Sequence, residues 1–361
     1  MKILIITNSS SGLYKFRKKL IQELVKENEI NVITPDSGFI DELKELGCNI
    51  DILDIDRRGK NILSEIKLIF KYRKMISKYK PEKIITYTIK PNIYIGLINN
   101  LFKIDFYPNI TGLGTAFQED NLFKKFIINI YKLAFKNVKK VFFENSYNNE
   151  VFLKEKICTK NNSIVLNGAG VDLEEYKFTD LPSFDSIRFL FMGRIMKEKG
   201  IDELFDAIKF IKNKYPNTCF DILGGLEESY KEKIDELENM NLIKYYGRVD
   251  DVKPYIKRSH CILLPSYHEG MSNTLLEGAA MGRALITSNI HGCKEAVIDG
   301  KSGFLHNIKD VKDLVDKIEK FIYLSNEEKI AFGKESRRIV EKKFDKKKVV
   351  EHTIEKIFSR G

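Results

Sequence analysis

Strand-like apolar runs alternate with charged segments of helical period along nearly the whole chain, and that alternation leaves few folds open. Lys2–Ile6 is followed by helix-like Lys15–Glu27, then Ile30–Ile33, Ile40–Leu46 and Ile50–Leu53, and later by Ile62–Lys78 and strand-like Lys83–Tyr87. Strand, helix and strand joined by short connections predict a parallel sheet with helices on both faces. The polar stretch Asp180-Leu181-Pro182-Ser183-Phe184-Asp185-Ser186 interrupts the pattern, which restarts at Arg188–Met192, Ile201–Lys214 and Cys219–Leu223. The expected fold is therefore α/β, with two Rossmann-like, doubly wound domains over 1–182 and 183–344. Ligands of such sheets sit beyond the carboxyl ends of the strands, so the site is expected in a cleft between the two domains, on loops that follow strands.

Composition narrows the function classes. At 361 residues, 43% hydrophobic and 31% charged, the chain can bury a core in each domain. No run approaches the roughly 18 apolar residues of a membrane-spanning helix. The apolar start, Met1 to Ile6, has no small-residue cleavage site after it and reads as a first strand rather than a secretory signal. Cys48, Cys158, Cys219, Cys261 and Cys293 are scattered and form no CxxC pair, so neither a disulfide framework nor a zinc site is expected. The net charge of +10 permits nucleic acid, an anionic membrane or a phosphorylated substrate as partner. Tryptophan is absent, Lys outnumbers Arg, and no zinc-finger or aromatic RNA-binding signature occurs, so no nucleic-acid partner is expected.

Two loops carry the chemistry. Gly193-Arg194-Ile195-Met196-Lys197-Glu198-Lys199-Gly200 follows a strand and leads into a helix. An Arg fork and a Lys point charge beside free helix-start amides suit a diphosphate. Leu263 to Glu277 then places Glu269 in a loop and Glu277 about a turn into the next helix. Acceptor-only carboxylates suit paired sugar hydroxyls, and the amides of Met271, Ser272, Asn273 and Thr274 could meet phosphate or sugar oxygens. Gly224-Gly225 and Gly247 end neighbouring strands and would let a nucleotide approach the backbone.

Gly193-Arg194 with Lys199, and Glu269-(seven residues)-Glu277, resemble the retaining GT-B glycosyltransferases of family 4. So do Glu277 to Ser288 and Gly292 to Phe304; the match is ordered over most of 186–305. The first half, through Thr88 to Gly96 and Asn109 to Thr115, resembles enzymes of O-antigen, capsule and lipid-linked oligosaccharide assembly. The resemblance implies that Arg194 and Lys199 bind the donor diphosphate and stabilise the leaving group. It implies that Glu269 holds the donor sugar and Glu277 the ribose. Gly12, in Ser9-Ser10-Ser11-Gly12-Leu13, would face the diphosphate or acceptor, and a last helix at about 345–361 would pack back on the first domain. Domain closure would bring Gly12 and Lys90 toward the donor and exclude water.

The first half contains no histidine, which many relatives have there; Lys90 occupies the corresponding loop and is expected to contact an acceptor phosphate. Asp54-Ile55-Asp56 formally matches a metal-binding DxD, but the resembled class does not use that motif, so no metal and no cofactor beyond the UDP-sugar co-substrate are expected. His268, with no second histidine at metal spacing, is expected to pack or hydrogen-bond.

Asn121–Lys140 holds six lysines and no acidic residue. Phe123, Phe126, Ile127, Ile130, Leu133 and Ala134 recur at helical spacing, either as a stripe packed on the sheet with lysines left to touch headgroups, or as a segment lying in an anionic membrane surface. The expected activity is retaining transfer of a hexose or N-acetylhexosamine from a UDP-sugar to a lipid-linked saccharide, on the inner face of the cytoplasmic membrane. A nucleotide-sugar 2-epimerase and a non-catalytic basic adaptor are the rivals.

Overall fold

In a computed structural model, the residues described are 1–54, 62–114, 117 and 121–359. Two compact units emerge, one of Met1–Ala169 with Lys347–Gly361 and one of Gly170–Lys346.

The first unit runs β1 (Lys2–Ile6), α1 (Ser10–Leu24), β2 (Glu29–Thr34), α2 (Ile40–Glu45), β3 (Cys48–Ile52) and α3 (Ile62–Tyr79). It continues with β4 (Lys83–Tyr87), α4 (Ile89–Phe102), β5 (Asp105–Ile110), α5 (Leu122–Ala134), β6 (Val141–Phe143), α6 (Ser146–Lys154) and β7 (Ser163–Val165). The sheet is parallel, in the order β3-β2-β1-β4-β5-β6-β7. Side chains alternate across a strand, so β1 feeds two cores. Leu4 and Ile6 pack with Leu68 and Tyr72 of α3, Ile93 of α4 and Ile128 of α5. Ile3 and Ile5 pack with Leu13, Leu20 and Ile21 of α1, and with Val350 and Ile357 of the chain's last helix. An apolar strand buried on both faces is what a parallel sheet requires. The Tyr107 hydroxyl donates to the Ile357 carbonyl at 2.9 Å and fixes that last helix on this unit.

The second unit runs β8 (Ile187–Met192), α7 (Ile201–Lys214), β9 (Thr218–Leu223), α8 (Lys231–Asn239), β10 (Lys244–Tyr245) and α9 (Lys253–Lys257). Next come β11 (Cys261–Leu264), α10 (Asn273–Ala280), β12 (Ala284–Ser288), β13 (Gly303–His306), α11 (Val311–Tyr323) and α12 (Asn326–Lys343). The chain ends with α13 (Lys346–Phe358), the helix already placed on the first unit. Strand order is β10-β9-β8-β11-β12-β13, again parallel.

The polar stretch 180–186, expected as a linker, lies inside the second unit. Arg283, fully buried, holds its approach by donating to the carbonyls of Thr179 (2.8 Å), Asp180 (3.2 Å) and Ile256 (2.8 Å). The division falls instead at Gly170, whose φ of +67° and missing Cβ allow Lys346 to pass against it, since a Cβ would lie 2.7 Å from Lys346 Cα. There the Val171 N–H donates to the Phe344 carbonyl (2.8 Å) and the Lys346 N–H to the Val171 carbonyl (3.0 Å).

Candidate active site

In the second unit the chain leaves β8 toward β9 on one side and returns to β11 on the other, so the switch point of the sheet lies between β8 and β11. The loops after these strands hold the sequence candidates. Gly193 N–H donates to the Leu223 carbonyl (2.9 Å) and Gly224 N–H to the Gly247 carbonyl (2.8 Å), tying three strand ends together. Gly224 has φ +147°, and a Cβ there would sit 1.7 Å from the Gly193 carbonyl oxygen. That closeness explains the glycine.

The same logic joins the two charged loops. Gly200 has φ +68° and a Cβ would lie 2.1 Å from the Pro265 carbonyl oxygen, while the Tyr267 N–H donates to the Glu198 carbonyl (2.9 Å). With the backbones so close, Lys199 Nζ meets Glu269 Oε1 at 2.5 Å, both side chains being mostly buried (17% and 14% exposed). Arg194 projects further out, half exposed, with Glu227 at 3.8 Å.

Ser272 caps α10, its hydroxyl accepting from the Leu275 N–H. The amide of Ser272 donates to the Gly292 carbonyl (2.9 Å), so it is not offered to a ligand as the sequence suggested. The N–H groups of Met271, Asn273 and Thr274 have no partner among the described residues. The helix start thus still presents donors and its positive end. Met271 contributes backbone only, because its side chain is in the core. The Thr274 hydroxyl donates to the Met192 carbonyl (3.1 Å), fixing α10 to the end of β8. Asn273 Oδ1 and Ser266 Oγ are buried without a partner.

Glu277 lies one turn into α10 and accepts from the Tyr176 hydroxyl; burial first, then the carboxylate, hold that phenol well above its usual pKa. Glu295 takes the Gly292 N–H (2.7 Å) and lies 3.1 Å from His291 Nδ1. This fixes a turn whose Gly292 has no room for a Cβ against the Glu269 and Gly270 carbonyls. His268 reaches solvent, and partial desolvation of its ring, then the nearby Lys309, hold it below the ordinary imidazole pKa. Burial raises the thiols of Cys261 and Cys293, which do not act as nucleophiles in that state.

The first unit has its own switch point, between β1 and β4. Gly12 and Lys90 both follow those strands, as expected. Gly12 is not a free turn: it sits in the first turn of α1 and its N–H donates to the capping Ser9 hydroxyl (3.1 Å). Lys90 is already ion-paired, its Nζ 2.6 Å from Glu65 Oε1, and Tyr94 donates to the other oxygen of that carboxylate at 2.5 Å. Ile55 and Asp56 of the DxD sequence lie outside the described residues. Among the described residues no cluster of His, Cys, Asp and Glu has metal-binding geometry.

The sequence did not expose Tyr176, Glu65 or Ser266 as participants, and it gave Gly292 only as the start of the resembled stretch 292–304. Gly292-Cys293-Lys294-Glu295, a glycine three before a carboxylate, was the available signal for the turn.

Residues 174–339 match the family described as Glycosyl transferases group 1, and residues 2–145 match Glycosyl transferase 4-like. The chain is 27% identical over 337 residues, 88% of each chain, to the N,N'-diacetylbacillosaminyl-diphospho-undecaprenol alpha-1,3-N-acetylgalactosaminyltransferase of Campylobacter jejuni. It is 24% identical over 330 residues, 85% of this chain and 84% of the relative, to the UDP-Gal:alpha-D-GlcNAc-diphosphoundecaprenol alpha-1,3-galactosyltransferase of Escherichia coli. Among solved structures, Anabaena Alr3699/HepE in complex with UDP and glucose superposes with a TM-score of 0.80 at 16% identity over 98% of each chain, a likeness of fold.

Proposed function

We propose a reaction for a chain that belongs to the GT4-type glycosyltransferases of GT-B fold: transfer of a hexose or N-acetylhexosamine from a UDP-sugar to a polyprenyl-diphosphate-linked saccharide, with retention of anomeric configuration and without a metal. The observation that carries it is the joining of Lys199, Glu269 and the open amides of α10 at one switch point, with Arg194 on the loop after β8 and Glu277 one turn into α10.

In this reading Arg194, Lys199 and the amides of Met271, Asn273 and Thr274 take the donor diphosphate. As the glycosidic bond breaks, negative charge gathers on the β-phosphate oxygen, and fixed donors there stabilise it more than the ground state. Glu269, anchored by Lys199, accepts from sugar hydroxyls, while Glu277 accepts from the ribose. The departing phosphate oxygen takes the acceptor's proton on the face it leaves, so retention needs no protein base. Gly193, Gly224 and Gly247 leave the backbone bare for the nucleotide. Lys90, paired with Glu65, ties the first turn of α4 to α3; a direct acceptor phosphate contact would require that pair to open.

The lipid-linked acceptor is supported by two relatives whose names give undecaprenyl-diphosphate-linked acceptors. In this reading the work is done at an anionic membrane surface on the cytoplasmic face; no described helix is long and apolar enough to cross a membrane. The test is a panel of UDP-, GDP- and ADP-sugars against polyprenyl-diphosphate-sugar acceptors in EDTA, read by mass. A gain of one sugar, lost in Glu277→Ala and Arg194→Ala, supports the reading. Loss of activity in EDTA overturns metal independence, and release of an epimer without acceptor favours the epimerase.

A further inference from the structure

Thr88 is a side chain kept where glycine would be at ease. It follows β4 and stands at the N-cap of α4 with φ +73° and ψ 162°. Phe39 and Lys103, also at positive φ, rest in the ordinary left-handed region, at ψ 27° and 37°. Thr88 lies outside that region, in backbone space open to glycine and costly for a β-branched residue. Its surroundings fix it there. On the strand side, Tyr87 is in register with Asn109 of β5. On the helix side, Asn92, 1% exposed, accepts from the Thr86 hydroxyl (2.6 Å) and donates to the Asn109 carbonyl (2.9 Å).

No bond of the Thr88 side chain offsets this strain. A threonine at an N-cap ordinarily accepts from the N–H of the second or third helical residue. Here the third is Pro91, which has no N–H, and the Thr88 hydroxyl makes no cap bond. Its Oγ1 is covered and has no hydrogen-bond partner. The residue as a whole is only half-buried, and a step of one staggered well about χ1 moves the hydroxyl off that covered position. A hydroxyl retained against strain, with no partner of its own, points to a partner from outside the chain.

The neighbours narrow the chemistry of that partner. Strand β1 lies beside β4, and at the ends of β1 and β2 the Ser37 hydroxyl lies 3.1–3.2 Å from those of Ser9, Ser10 and Ser11. The one charged side chain in residues 84–90, Lys90, is already paired with Glu65. A phosphate only accepts and calls for unmatched positive charge, whereas a sugar hydroxyl donates and accepts as threonine and serine do.

We propose that Thr88 is a specificity-determining contact for the acceptor's sugar, its hydroxyl exchanging a hydrogen bond with a sugar hydroxyl, and that the strained backbone is what keeps this side chain at the end of β4. The proposal rests on the acceptor half of the proposed function and adds a residue which that reading does not use.

The test is calorimetric binding, without donor, of short-chain prenyl-diphospho-sugars to the full chain, beside the same prenyl diphosphate without sugar and beside UDP. Thr88→Val keeps the branch and the strain but drops the hydroxyl, and is expected to bind the sugar-bearing ligands about tenfold more weakly. Thr88→Ser keeps a hydroxyl and is expected to stay within about threefold of the wild type. Prenyl diphosphate alone and UDP are expected to bind all three proteins alike. The strain has its own readout: Thr88→Gly is expected to melt about 2 °C or more above Thr88→Ala, the reverse of the usual order for these two residues. Equal binding of the sugar-bearing ligands by wild type and Thr88→Val overturns the proposal, as does a Thr88→Ala that melts above Thr88→Gly. The same loss with prenyl diphosphate alone moves the hydroxyl to the phosphate and overturns the sugar assignment. A wild type that binds UDP but none of the acceptors removes the acceptor half of the proposed function, and this contact with it.

Discussion

Lys199 Nζ and Glu269 Oε1 meet at 2.5 Å although they come from loops after different strands, β8 and β11. The pair is mostly buried, so each member holds the other in a single orientation, and the two loops move as one electrostatic unit. Lys199→Ala and Glu269→Ala are each expected to lower kcat/KM by about 10²–10³. Because they share a contact, the double variant should lose less than the product of the two, with a coupling of about 1–3 kcal/mol. Strictly additive losses in a double-mutant cycle would show that the contact has no catalytic meaning.

Tyr176→Phe removes the hydroxyl that Glu277 accepts from while keeping the ring. A net hydrogen bond of about 1 kcal/mol then no longer orients the carboxylate, and the donor KM should rise about fivefold with kcat nearly unchanged. Glu277→Ala should raise it further. If kcat fell and KM stayed, Glu277 would belong to the transition state rather than to ribose binding.

Gly200→Ala places a methyl 2.1 Å from the Pro265 carbonyl at a φ of +68°. Backbone must move, at a cost of about 2–4 kcal/mol, and the movement separates the Lys199 and Glu269 loops. Denaturant midpoint and activity should therefore fall together. Gly225→Ala, where a Cβ meets nothing within 4 Å, should stay within about 0.5 kcal/mol of the wild type.

Burial holds the His260 imidazole down to about 4, and its Nδ1 accepts from the Arg188 N–H, a bond that fits the neutral ring. In the unfolded chain the same ring titrates near its ordinary 6.5. Above that pH both states are neutral and His260 adds no pH dependence. Between about 6.5 and 4 the unfolded chain binds a proton that the folded one refuses, so stability falls as pH drops, by about 3 kcal/mol over the window. His306, also buried and depressed, adds in the same direction. Urea titrations across pH should show a shallower acid loss in His260→Gln than in the wild type. Equal slopes would place the acid sensitivity in the carboxylates.

The features legible in the sequence are local ones. Parallel strands buried on both faces read as continuous apolar runs, so β1, β8 and β11 stand out from residue order alone. Glycines that end strands, and the charges that follow them, also lie within one loop. Pairs across loops were hidden, because Lys199 reaches Glu269 only through the order β8-β11, in which sequence neighbours are not spatial neighbours. The same holds for Tyr176 with Glu277 and for Lys90 with Glu65. In α5 the helical period was visible, but it could not say that Phe123, Phe126 and Leu133 face away from Ile128 and Tyr131, since the Gly96 contact that sets the helix's rotation lies on α4.

Because Val350 and Ile357 of α13 complete the core that Leu13, Leu20 and Ile21 begin, the first unit needs residues that are made only after the whole of the second. Gly170–Lys346 is synthesised in between, a delay on the order of ten seconds or more at about 5–20 residues per second. The second unit can close on itself during that interval, since its two ends already pair at Val171 and Lys346. The apolar surface that α13 covers stays open until that helix emerges, so the first unit is the later of the two to finish although its strands are made first.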